Sequence, residues 1–147
     1  MQLTTFTDYS MRVMMYLGLQ HGQLATISEI AQAYAISENH LTKVVHNLAL
    51  GGYVETVRGK GGGLKLVRDP NTVNIGKMIR ALEGESGLLP CLNAEGECCI
   101  QTTCKLIGIL REAQTAMFAV LDKYTLADLL LEKAPLSRIL MHPRLLE

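Results

Sequence analysis

The four cysteines of this 147-residue chain all lie between Cys91 and Cys104, in "CLNAEGECCIQTTC". Thiolates are soft metal ligands and nucleophiles, so such a cluster can bind metal or sense oxidants. The spacing narrows the choice. No C-x-x-C is present, and Cys99 to Cys104 only borders on the close knuckle of a structural zinc site. The ferredoxin run is absent as well. Gly96 permits a turn that curls the loop around a centre. Thr103 is expected to cap the last helix, placing Cys104 at its N-terminus, where the helix dipole favours a thiolate or an anionic cluster. An iron–sulphur cluster, a zinc site and a thiol redox switch all stay open on spacing, with inert cysteines as the bland alternative.

Side chains of adjacent residues diverge, so one of Cys98 and Cys99 is a spare, and a fourth ligand must come from elsewhere. His21, His40, His46 and His142 are the imidazole candidates, although each also reads as a surface histidine. Asp8 is a carboxylate near the N-terminus with Arg12 at i+4, the spacing of a helical ion pair. The residues alone favour Asp8 as a simple helix-start charge.

These groups need elements to hold them. "FTDYSMRVMMYLGLQHG" predicts a helix with Phe6, Met11, Val13, Met14, Leu17 and Leu19 on an apolar face, Thr7 as cap and Gly22 as stop. Its methionines read as core filler. Ser28 is expected to cap a short helix bearing Ile30, Ala31 and Ala33. "AIS" is a tight turn, and Ser37 caps a second helix with Leu41, Val44, Val45 and Leu48 inward. Gly51 and Gly52 end it. This is a helix-turn-helix pattern. "YVETV" and "LKLV" alternate like strands around the turn "RGKGGG", which makes a winged helix. Asn74 caps "IGKMIRALEG". Beyond Thr103 the chain reads as helical, with Leu106, Leu110, Ala113, Met117, Val120 and Tyr124 on a four–three seam that suits a core or a dimer.

The second helix turns Glu38, Asn39, His40, Lys43 and His46 outward. Asn reads adenine, Lys reaches guanine or phosphate, and His donates to either. In the wing, Arg58, Gly59, Lys60 and Gly61 suit close approach to a phosphate or a narrow minor groove. A nucleotide phosphate loop would need a longer glycine–lysine–serine/threonine pattern opening a helix, and here a strand follows. Net charge is zero. It is segregated, however: residues 37–68 carry five basic against two acidic side chains, and residues 83–97 carry four glutamates and no Lys or Arg. No apolar run approaches membrane-spanning length and no signal peptide is evident, so a cytoplasmic chain without a membrane role is expected. Nothing resembles a substrate-pocket motif or an acid/base pair, which argues against an enzyme or an electron carrier.

"MQLTTFTDYSMRVMMYL", "ISENHLTKVVHNLALGGYVETVRGKGGGLKL" and "LDKYTLADLL" closely resemble the NsrR-type nitric-oxide-sensing repressors of the winged-helix iron–sulphur regulator family, relatives of IscR. The resemblance covers nearly the whole chain. It implies a mainly α fold with a small β-hairpin wing: a winged helix-turn-helix domain (1–82), a cluster-binding loop (83–104), and a long dimerisation helix with a C-terminal tail (105–147). It implies a homodimer that binds palindromic operator DNA through Ser37, Asn39, His40, Lys43, His46 and the wing. The implied cofactor is an iron–sulphur cluster, usually [4Fe-4S], with [2Fe-2S] as the alternative. Nitric oxide attacks the cluster and releases the DNA. The family pattern of three cysteines, the last two separated by five residues, maps onto Cys91, Cys98 and Cys104. The gap from Cys91 to Cys98 is longer than the pattern, so Cys99 stays an alternative ligand. The histidine ligand of IscR-type members falls at Ile107, which cannot ligate. Asp8 matches an aspartate that serves as fourth ligand from the partner subunit in NsrR-type members, with Arg12 as its switch partner. A regulator sensing iron supply or oxidants through the same loop is the alternative function.

Overall fold

The computed structural model describes residues 2–84, 88–92 and 98–141. The chain order is α1 (Thr5–Leu19), α2 (Ile27–Tyr34), α3 (Glu38–Leu50), β1 (Val54–Val57), β2 (Gly63–Leu66), α4 (Ile75–Glu83), α5 (Lys105–Leu121), α6 (Leu126–Leu129) and α7 (Lys133–Met141). Short 3-10 turns lie at Pro70–Thr72 and Pro90–Leu92. Among the described residues the structure is mostly helical with a two-stranded antiparallel sheet, as the sequence predicts. No helix among the described residues is long and apolar enough to cross a membrane.

Two compact units are formed, and chain order does not separate them. One comprises residues 5–73 with 125 onward, the other residues 1–4 with 74–124. In the first, α1 carries Val13, Met14 and Leu17 into the core, where Ile30 of α2 and Leu41, Val44, Val45 and Leu48 of α3 are also buried. Each such side chain contributes about 1.5–3 kcal/mol of apolar burial. The expected inner stripe of α3 is therefore present. Leu126 and Leu130 of the "YTLADLL" stretch are buried in the same unit. Gly18 of α1 leaves room for the Leu130 side chain, which a Cβ would strike. Thr125 and Asp128 form a capping box that starts α6.

Three expected caps are displaced. Thr7 lies inside α1 and is fully buried. The cap of α2 is Thr26, not Ser28: the Glu29 N–H donates to Thr26 Oγ1 at 3.1 Å and the Thr26 N–H to Glu29 Oε2 at 2.6 Å. The reciprocal pair satisfies two helix-end donors at once, which a lone serine inside the first turn cannot do. Cys104, not Thr103, occupies the N-cap of α5.

In the second unit α4 packs on α5. Asn74 caps α4 as expected, accepting from the Lys77 N–H at 2.9 Å. Its Nδ2 donates to the Asp122 carbonyl at 2.7 Å. Arg80 donates through Nη1 and Nη2 to both Asp122 carboxylate oxygens, at 2.7 and 2.6 Å, and lies over the Phe118 ring at 4.3 Å. The start of α4 and the end of α5 are thereby locked together. The break at Asp122–Tyr124 ends the long helix, which the sequence reading carried further.

Candidate nucleic-acid interface and cysteine loop

The outward face of α3 follows from its buried stripe. Ser37 is the N-cap, and its side chain makes no cap bond. Asn39, His40, Lys43 and His46 are all exposed, as expected. Thr42 and Asn47 share this face and were missed. Helical spacing from Asn39 and Lys43 would have found both. His40 lies against Tyr9 of α1 with ring centroids 6.2 Å apart, and the two rings line a hollow of about 330 Å³ with Thr5, Phe6, Lys43 and Val44.

In the wing, Val54 pairs with Leu66 and Val57 with Gly63, which places Arg58, Gly59, Lys60 and Gly61 at an exposed tip. Gly59 (φ 96°) and Gly61 (φ 78°) occupy conformations that L side chains rarely adopt. Gly62 and Gly63 are needed for a different reason. A Cβ at Gly62 would collide with the Val57 carbonyl, and one at Gly63 would lie 2.8 Å from the Ala25 carbonyl oxygen. Ala25 and Leu64 exchange both backbone bonds, at 2.9 and 2.7 Å, adding a third edge to the wing that the sequence reading lacked. So only half of this glycine run serves the tip. The basic excess divides likewise: Lys65 pairs across the strands with Glu55 at 3.6 Å, whereas Lys43, Arg58 and Lys60 have no ion pair among the described residues.

Asp8 sits in the first turn of α1, and Arg12 Nε donates to both of its carboxylate oxygens at 3.0 Å. The two side chains are 48% and 41% exposed. The Arg12 guanidinium lies 5.5 Å from the Tyr34 ring centre. The Tyr34 hydroxyl is buried and has no hydrogen-bond partner among the described residues, and burial pushes its phenol up to about 12.

All four cysteines are free thiols, Cys98 and Cys99 exposed, Cys91 and Cys104 half-buried. The Pro90–Leu92 turn packs on α5, and Gln101 Nε2 donates to the Cys91 carbonyl at 3.4 Å, so Cys91 and the start of α5 share one region. The Cys104 side chain makes no cap bond, which leaves its sulphur available beside the positive end of a 17-residue helix. This donor chemistry fits an anionic iron–sulphur cluster. No three Cys, His, Asp or Glu residues gather around an ion-sized space among the described residues. Gly96 and His142 lie outside the described residues.

With this geometry in place, the chain matches the Rrf2 family, described as iron-dependent transcriptional regulators, over residues 3–132. It belongs to that family. It is 45% identical over 142 residues to the HTH-type transcriptional regulator NsrR of Bacillus subtilis, spanning 95% of this chain and 97% of that protein. Identity to the NsrR regulator of Geobacillus kaustophilus is 43% over 146 residues, 98% of this chain and 99% of that one. Among solved structures it resembles T. potens IscR, with TM-score 0.67 at 26% identity, covering 88% of this chain and 86% of that one. It also resembles CymR, the global cysteine regulator of B. subtilis, with TM-score 0.65 at 30% identity, covering 88% and 95%. Members of the Rrf2 family regulate transcription and are not enzymes, and the helix-turn-helix with its wing makes this chain a DNA-binding regulator of the winged-helix type.

Proposed function

We propose that this Rrf2-family regulator is a cytoplasmic homodimeric repressor that senses nitric oxide through an iron–sulphur cluster, of [4Fe-4S] type, and binds a palindromic operator while the cluster is intact. The observation that carries the reading is the placement of Cys104 at the uncapped N-terminus of α5, with Cys91 packed beside that helix. Cys91, Cys98 and Cys104 would hold the cluster, with Cys99 as the alternative to Cys98 and Asp8 of the partner subunit as fourth ligand. When bound, the cluster supplies iron that reacts with nitric oxide.

The chain's own residues provide the rest. First-turn N–H groups of α5 stabilise negative charge at its N-terminus. The Asp8 carboxylate has two mutually exclusive partners, because oxygens that accept from Arg12 are engaged and cannot also ligate at full strength. An Asp8 that did not hold the cluster would pair with Arg12 as it does here, a local difference that would bias a two-state dimer. On DNA, Asn39, His40, Lys43 and His46 face the major groove, while Arg58 and Lys60 reach the flanking backbone or minor groove. Ile109 and Val120 of α5 are 61% and 51% exposed and lie on one side with Leu106, Ala113 and Ala116, which supports a helix-on-helix dimer seam. The family's iron dependence favours a second reading, a sensor of iron supply through the same cysteines.

Anaerobic purification with visible spectra before and after nitric oxide, paired with gel retardation of DNA, tests the first reading. It requires cluster absorbance that nitric oxide removes together with the DNA shift. Absorbance that responds only to iron chelation favours the second. Absorbance should survive Cys99→Ser and fail in Cys91→Ser, Cys98→Ser and Cys104→Ser. The opposite result for positions 98 and 99 moves the ligand to Cys99.

A further inference from the structure

Arg68 belongs by charge to the basic segment that a sequence reading gives to DNA, yet its guanidinium is turned onto the protein backbone. Nε donates to the Gly52 carbonyl and Nη2 to the Gly51 carbonyl, both at 3.1 Å, and the guanidinium centre lies 4.6 Å from the Tyr53 ring centre. Gly51 is the C-cap of α3, the DNA-facing helix, and Gly52 takes φ 69°. These carbonyls belong to the helix end whose acceptors have no partner within the helix, and a cation there also meets the negative end of the dipole. Arg68 itself lies two residues beyond β2, on the segment that leaves the wing. One side chain therefore ties the outgoing strand of the wing to the last turn of α3. Two backbone bonds run alongside, Tyr53 N–H to the Leu48 carbonyl at 2.9 Å and Val67 N–H to the Tyr53 carbonyl at 3.0 Å.

We propose that Arg68 is a positioning residue for DNA reading: it fixes the angle of the wing on the recognition helix and touches no phosphate. A helix in a groove and a hairpin tip beside it reach their targets together only when that angle is set beforehand, so loss of the clamp reduces the preference for the right sequence more than it reduces adhesion to DNA. A phosphate contact acts in the opposite way, weakening binding to every sequence alike. The proposal deepens the wing reading above and rests on it for its effect on DNA.

Arg68→Lys is the discriminating variant, since it keeps the charge but loses the planar fork and the stacking. The full chain, purified anaerobically, is compared with the variant in two measurements. Without DNA, amide hydrogen exchange over Tyr53–Val57 and Leu64–Val67 should accelerate by about fivefold, the effect of losing one net hydrogen bond. With DNA, two duplexes of equal length are used: one selected by the wild-type protein from a randomised pool, and its scrambled counterpart. Affinity for the selected duplex should fall about tenfold, comparable to one mismatched base pair, with the scrambled duplex and the salt slope unchanged. In a companion Arg68→Gln variant, which removes the charge, equal losses on both duplexes with a salt slope smaller by about one make Arg68 a phosphate contact and overturn the proposal. Unchanged exchange in the wing overturns it as well. Arg58→Ala on the same duplexes tests the wing reading separately: a silent Arg58→Ala removes that reading, whereas the exchange measurement still decides the clamp.

Discussion

Substituting Gly63 with alanine puts a methyl group where β2 meets the segment before α2. The new Cβ would lie 2.8 Å from the Ala25 carbonyl oxygen, 3.1 Å from its carbonyl carbon and 3.3 Å from its nitrogen. All three are backbone atoms, so no side-chain rotation relieves the contact, and the Ala25 segment must retreat. Retreat breaks or lengthens the two bonds between Ala25 and Leu64. At about 1 kcal/mol net each, these cost about 2 kcal/mol. Alanine returns about 0.4–1 kcal/mol by restricting the unfolded chain. The expected net loss is therefore about 1–2 kcal/mol, or about 2–8 °C in melting temperature for a chain of this size. Thermal unfolding followed by circular dichroism measures it. Gly61→Ala is the control, because its Cβ meets nothing within 4 Å and its cost is confined to the positive φ. A Gly63→Ala protein that melts at or above the wild-type temperature would refute the close approach, and with it the third edge of the wing.

Tyr34→Phe removes a buried hydroxyl that has no partner while keeping the ring under Arg12, so stability should hold or rise by up to about 1 kcal/mol in urea denaturation; a loss of that size would mean that the hydroxyl is bonded. Asp122, held low by its hydrogen bonds from Arg80, Asp128 by the Thr125 N–H and Asp69 by the Asn71 N–H all lie below the ordinary carboxylate range. Their stabilisation is present above that range and lost as pH falls through the lowered folded values, so Asp122→Asn should flatten the fall in melting temperature below about pH 4, and parallel curves would contradict this. Ile109→Glu with Val120→Glu on the exposed side of α5 should yield a folded monomer by sedimentation; an unchanged oligomer places the interface elsewhere.

Local pattern determined much of this protein. The stripe of Leu41, Val44, Val45 and Leu48 is a period that only a one-sided helix satisfies, and its complement gives five exposed α3 residues, Glu38, Asn39, His40, Lys43 and His46. The alternation around "RGKGGG" made the wing for the same reason. Tertiary structure decided what depends on partners distant in sequence. Thr26 displaced Ser28 as cap because reciprocal bonding with Glu29 satisfies two donors, a contest that spacing does not rank. Gly63 and Arg68 look like DNA-facing residues in composition, yet the first exists for Ala25, 38 positions earlier, and the second for Gly51 and Gly52. The end of α5 at Leu121 is held by Arg80 and Asn74, so a seam read along the chain runs past the true helix. Sequence periodicity reports which face an element buries; which backbone atoms approach that face, and which charges they take out of circulation, is set by chain segments that no local window contains.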